Sequence, residues 1–286
     1  MLDMIKQARA AVSLLNPEEV RSLATRPVSV GLVAVDDAGY DELAGFLLPA
    51  GMPDHARQET LRRVHRASDP HVPETVDMVL YQQGIPHQGG AFTFQRDDPA
   101  IAVSAILDEH EDLALPLARQ FPAFRKPVVD GVIQAVAREN ALFAIATALP
   151  NIVPSLIELP WAFGEFASDT AFLTANQIRM AFLIAAACGR RPGFSRQKAE
   201  ILSIVAGAFG WRALARELVG HIPLGGGLIP KGAIAWAGTF AVGKSLEYYY
   251  HANRLYTNEQ REEVYRQALE RGKNVAASLT PSEPRP

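Results

Sequence analysis

At about Phe121 the hydrophobic pattern of this chain changes period. Before that point, Val-rich runs of strand length are bounded by turn residues. Pro27–Val35, Thr75–Tyr81 and Ala91–Phe94 read as strands, and Asp41–Leu48, Ala56–Val64 and Pro99–Gln120 read as helices. After it, apolar residues recur at helical spacing almost without interruption. In Lys126–Leu149 they fall at Val129, Val132, Ile133, Val136, Leu142 and Ile145. The pattern predicts a mainly α protein, with a small α/β unit in residues 1–118, a helical domain in 119–273 and a disordered Pro/Ser/Glu tail in 274–286.

Further helices are expected at Met1–Leu15, from the start signal Asn16-Pro17-Glu18-Glu19, and over Thr170–Cys188. Ser195 is placed to cap another that reaches Ala208, followed by Trp211–Val219, Gly232–Tyr250 and the charged segment Thr257–Lys273. Pro150, Pro154 and Pro160 interrupt the series, and Ile222–Pro230 is a Gly-rich turn.

Two nucleotide-binding signatures compete. Gly238-Thr239-Phe240-Ala241-Val242-Gly243-Lys244-Ser245 matches GxxxxGK[ST] letter for letter, which makes Gly238, Gly243, Lys244 and Ser245 the candidate phosphate and Mg²⁺ contacts of an ATP or GTP hydrolase. Such a loop needs a strand before it and further strands behind it, one of them ending in Asp. Only Leu246-Glu247-Tyr248-Tyr249-Tyr250, a charged helical segment and the tail follow here. Read as a helix, Ala235, Thr239 and Gly243 make a small-residue stripe suited to close helix approach. The second signature has the opposite defect. Val30–Val35 followed by Asp36-Asp37-Ala38-Gly39-Tyr40-Asp41 has the layout of a GTPase strand, loop and helix start, but Ala34, Tyr40 and Asp41 stand where the first glycine, the lysine and the Ser/Thr are needed. An aspartate repels phosphate and tyrosine supplies no cation.

Charge agrees with that loss. Residues 36–118 hold 15 acids and 5 bases, a net of −10, whereas residues 119–286 hold 13 acids and 19 bases, a net of +6. The acidic half disfavours a nucleotide, the basic half suits an anionic surface, and neither is basic enough for nucleic acid. The single Cys188 excludes an intramolecular disulfide and fits a reducing, cytoplasmic setting. The seven histidines lack metal-ligand spacing, and Asp108-Glu109-His110-Glu111-Asp112 reads as a solvated face, so no metal or cofactor is expected. Gly225-Gly226-Gly227 with Lys231 fits an anion nest or a tight helix connection.

The helical half also carries a specific pattern. Ala141–Ser155 (ALFAIATALPNIVPS), Leu173–Met180 (LTANQIRM) and Gly210–Tyr250, with GWRALARELVG, IPLGGGLIPKGAIAWAGTFAVGK and a closing tyrosine cluster, resemble domain of unknown function 697. That resemblance covers roughly residues 120–255. It implies a helical module often placed after an Era-like GTPase domain, some members being membrane proteins, with the glycine before the terminal basic residue inside a helix. It makes Pro27–Leu48 legible as a degenerate GTPase-like half. Members with a live GTPase carry an intact phosphate loop upstream, which this chain lacks, and no catalytic residue carries over.

Taken together, the sequence points to a non-catalytic interaction or regulatory protein that meets a protein partner, such as a GTPase, or an anionic membrane surface as a peripheral protein. Two alternatives stand beside it: the hydrolase using Gly238–Ser245, and an integral protein with a helical hairpin. Spanning needs about 20 apolar residues. Ala141–Ile157, Leu173–Cys188 and Gly232–Val242 are each too short or interrupted by proline or by Asn176 and Arg179. With one apolar face at an interface, Trp161, Phe163, Phe166, Trp236 and Tyr248–Tyr250 would suit the headgroup region, while a buried helix bundle gives the same periodicity and is the expected arrangement.

Overall fold

The Val-rich runs of the first half pair side by side. A computed structural model describes residues 15–67, 75–87, 89–148, 169–204 and 228–280. Strands β1 (Val30–Val33), β2 (Val64–Arg66), β3 (Met78–Gln82) and β4 (Phe92–Phe94) form one sheet in the order β2-β1-β3-β4. All three pairings are parallel, with Val30 opposite both Val64 and Met78, and Leu80 opposite Phe92. Helices α1 (Pro17–Thr25), α2 (Asp37–Leu47), α3 (Asp54–Leu61), α4 (Pro99–Glu109) and α5 (Ala114–Gln120) belong to the same unit, Glu19–Val129 with Ala186–Arg190. Its core is Val30, Leu32, Leu43, Leu47, Leu80, Ile106, Leu117, Phe121 and Phe124, each buried.

The second unit comprises the described residues of Asp130–Ala185 and from Arg191 onward, together with residues 15–18. The long α6 (Pro122–Ala146) contributes all but its first turns to it, joined by α7 (Asp169–Ala187), α8 (Leu228–Ala252) and α9 (Asn258–Leu279). Contacts fix the directions. A Cβ on Gly232 would meet Ile145 and one on Gly243 would meet Ile133, so α8 runs antiparallel to α6. Phe143 stacks on Phe172 at 4.0 Å while Asn140 meets Asn176, so α7 is also antiparallel to α6. Gly272 lies against Ala233 and Trp236, and Gly232 against Ala276, which makes α8 and α9 an antiparallel pair. The fold is mainly α with a small parallel α/β part.

Several boundaries differ from expectation. The helix expected at Ala56–Val64 ends at Leu61, and Val64–Arg66 becomes β2. Three residues are too few to display an alternating pattern, so only pairing with β1 defines this strand. The single helix expected over Pro99–Gln120 divides at His110, whose N–H bonds Ile106 and which starts a 3₁₀ turn over Glu111–Leu113. Restarting at Ala114 puts Pro116 in a first turn, where its missing N–H costs nothing. Ser195 does not cap its helix, which begins at Lys198 after a turn in which Gln197 accepts from the Gly193 N–H.

At the other end, Thr257 and Gln260 form a capping box and α9 continues to Leu279, six residues into the stretch 274–286 expected to be disordered. Ala276 is fully buried, so that part of the tail packs as helix. The expected elements at Met1–Leu15, Pro150–Pro160 and Trp211–Val219, and the Gly225–Gly227 run, lie essentially outside the described residues.

Tyr265 of α9 is 1 % exposed, and burial pushes its phenol up to about 12. The folded chain thus keeps a proton that the unfolded chain releases near pH 10, so the contribution is intact below that pH and lost as pH rises towards 12. Unfolding free energy should fall by about 1.4 kcal/mol per pH unit in this window. Denaturant melts across the window, on wild type and Tyr265→Phe, check it: the variant should lose this part of the decline.

Candidate functional site

The carboxyl end of β1 is where a doubly wound sheet binds its ligand. The chain leaves β1 in one direction for β2, and β3 continues to β4 in the other, so the topology reverses between β1 and β3. In nucleotide-binding sheets the first helix points its free N–H groups at phosphate from this place. Here the chain's own side chains occupy it. Asp36 caps α2, its Oδ1 accepting from the Gly39 N–H at 2.8 Å. Gln82, at the end of β3, accepts from the Val35 N–H at 3.0 Å, and its carboxamide lies 2.3 Å from where a Cβ on Gly39 would stand. Gly39 therefore serves to admit a side chain.

Two surface ion pairs flank this loop. Arg66 bonds Asp37 at 2.6 Å and lies 4.2 Å over the ring of Tyr40, the residue in the lysine's place. Arg96 bonds Glu42 and holds its carboxyl below the usual range. Outward, the loop exposes Val35, at 78 %, beside the carboxylates Asp36, Asp37 and Asp41.

The second signature is not a loop. Gly238 to Ser245 all lie inside the 25-residue helix α8, where backbone N–H groups bond carbonyls one turn back and none is free for phosphate. Ser245 turns its hydroxyl to the Ala241 carbonyl at 2.8 Å. The Lys244 ammonium sits between Asp130 of α6 at 2.5 Å and Glu247 at 2.7 Å. Partial burial draws its pKa down, but hydrogen bonds to both carboxylates outweigh that and leave it raised. Gly243 has a packing role: a Cβ there would stand 2.7 Å from Ile133 and 3.1 Å from the Met180 sulfur, whereas Gly238 has nothing within 4 Å. Gly238, Gly243, Lys244 and Ser245, the contacts of the alternative hydrolase reading, thus lie in a helix, as the apolar spacing of Gly232–Tyr250 predicts, and not in a phosphate loop.

A polar network that sequence reasoning did not assemble joins α6, α7 and α8. Asn140, wholly buried, donates to the Thr239 hydroxyl at 2.7 Å and accepts from Asn176 at 2.9 Å. Asn176 also donates to Glu139, Arg179 pairs with Glu139 at 2.5 Å, and Gln177 donates to Thr239 at 3.2 Å. A second buried amide, Gln197, bonds the Tyr250 hydroxyl at 2.7 Å and the Ala181 carbonyl at 3.0 Å. The signal was present, since polar residues inside apolar helices must find partners. Which ones they find depends on the packing. These bonds tie the three helices to one another through side chains.

No family model matches the chain, and no curated protein or solved structure matches it. Among the described residues there is no cluster of three or more His, Cys, Asp or Glu that could hold a metal ion, and no helix is long and apolar enough to cross a membrane.

The two motif glycines should respond oppositely to alanine. Gly238→Ala should raise stability by up to about 1 kcal/mol through helix propensity. Gly243→Ala should lower it by roughly 1–3 kcal/mol through overpacking against Ile133 and Met180. Denaturant midpoints of the two variants decide. Equal losses at both sites would contradict the helix.

Proposed function

We propose that this chain is a non-catalytic interaction module, in which a GTPase-like α/β unit has lost its phosphate loop and the helical unit associates peripherally with an anionic membrane surface, at the cytoplasmic leaflet. The observation that carries the first half is the filling of the α2 N-terminus by Asp36 and Gln82. A nucleotide would have to displace two hydrogen-bonded side chains and approach a unit whose residues 36–118 carry a net of −10. The retention of Lys244 by two carboxylates supports the same reading at the other signature.

Membrane association is supported by the net +6 of residues 119–286 and by aromatic residues at the end of α8. The resemblance to domain of unknown function 697, whose usual neighbour is a GTPase domain, supports a regulatory role. Attraction to anionic lipid is worth about 1 kcal/mol per basic residue near the surface and is screened by salt.

Titration calorimetry with Mg·GTP and Mg·ATP should give no saturable heat. Binding tighter than about 1 mM that is abolished by Lys244→Ala, with hydrolysis, would replace this reading by the hydrolase. Flotation with phosphatidylcholine–phosphatidylglycerol vesicles should recover the protein at low salt and release it at high salt. Recovery that only detergent reverses would favour an inserted hairpin, and none at low salt would end the membrane reading.

A further inference from the structure

The helical unit has one end where exposed leucines and basic side chains without acidic partners coincide. Helix α8 closes at Ala252, and Asn253 turns the chain with a left-handed φ of 53°, its N–H bonding the Tyr249 carbonyl. The tip of that turn is Arg254-Leu255, before Thr257 caps α9. Turn tips ordinarily hold polar residues, yet Leu255 is 72 % exposed.

Residues 198–204 form a short helix, anchored beside the end of α8 by the bonds of Gln197 and Glu200 to the Tyr250 hydroxyl, at 2.7 and 3.4 Å. Glu200 and Ile204, one turn apart, define the face that this helix turns inward, Ile204 being 3 % exposed. Leu202 falls on the opposite side and is 68 % exposed. Both leucines therefore lie within a few residues of the Tyr250 anchor. Tyr248 and Tyr256, stacked at 4.4 Å and half-buried, stand beside them as amphipathic rings.

The segments that carry the two leucines are mostly basic, up to the acids Glu259, Glu262 and Glu263 that open α9. Residues 191–204 and 251–257 contain the bases Arg191, Arg196, Lys198 and Arg254 against the single acid Glu200. All four bases are exposed, and none has a side-chain ion pair among the described residues. Glu200 is committed to Tyr250, and Glu259 and Glu263, at the start of α9, are held by Thr257 and Arg266. Cations in water around two protruding leucines match an interface in which anionic headgroups meet the bases and acyl chains receive the leucines.

We infer that this end, Leu202 and Leu255 flanked by Arg196, Lys198 and Arg254, is the surface by which the helical unit docks on an anionic lipid membrane. The inference rests on the peripheral-membrane reading above and specifies its contact face. It differs from bulk attraction by the net +6, because it requires particular apolar residues as well as charge.

The test is flotation of the full chain on phosphatidylcholine–phosphatidylglycerol vesicles, with pure phosphatidylcholine vesicles as the neutral comparison. The double variant Leu202→Ser/Leu255→Ser should bind at least about tenfold more weakly at low salt, since two buried leucines are lost from the interface. Arg196→Glu/Lys198→Glu/Arg254→Glu should abolish low-salt binding, and Leu23→Ser, an equally plain exposed leucine in the α/β unit, should bind as wild type. All the substituted side chains are exposed, so circular dichroism and melting should be unchanged, and a variant that melts earlier is replaced by its Ala counterpart. Wild-type flotation with an undiminished double-serine variant would overturn this assignment and leave the peripheral reading intact. Absence of wild-type flotation would remove both. Wild-type self-association that the serine variants abolish, seen by sedimentation without lipid, would reassign the face to a second copy of this chain.

Discussion

Helix α8 approaches its neighbours at distances that side chains would forbid, and the helical unit is built on that approach. Gly232 lies against Ile145 and Ala276, Gly243 against Ile133 and Met180, and Gly272 of α9 against the Ala233 carbonyl. Without a Cβ at these points the backbones close in, and more atoms reach van der Waals contact. The consequences are polar as well as apolar. The short side chain of Thr239 can reach Asn140 only across such a gap, and the Lys244 ammonium reaches Asp130, 114 residues away in the chain.

Both units hold polar side chains in internal hydrogen bonds, although the buried Ser29 hydroxyl of the α/β unit has no partner among the described residues. In the helical unit, Asn140, Asn176 and Thr239 would each cost about 1–3 kcal/mol if left buried without a partner. Tied together they are satisfied in one register of α6, α7 and α8, and a one-turn slip would orphan them. In the α/β unit the same economy fills the crevice between β1 and β3, where Asp36 and Gln82 take the N–H groups that a nucleotide-binding protein leaves free for phosphate. A site meant for an anion stays unsatisfied until its ligand arrives. Here the Gly39 and Val35 N–H groups are already taken by the chain's own side chains.

Much of the architecture was legible in the sequence because it depends on period. Strands β1, β3 and β4 and helices α6 to α9 were marked by local apolar spacing and caps, and the mainly α class followed from them. Of the candidate site, the failure at Ala34, Tyr40 and Asp41 was readable, since side-chain chemistry alone decides whether phosphate is welcome. The side chain that fills the place was not. Gln82 sits 43 residues from Gly39 and meets it only because β1 and β3 pair.

The sequence by itself determined where helices and short strands form, and which half is acidic and which basic, because periodicity and composition are properties of neighbouring residues. Only tertiary structure decided that three residues at Val64 join the sheet and that residues beyond Lys273 stay helical. In each case the local pattern fits two conformations. The choice goes with a distant partner: β1 for the strand, and Gly232 for the last turns of α9.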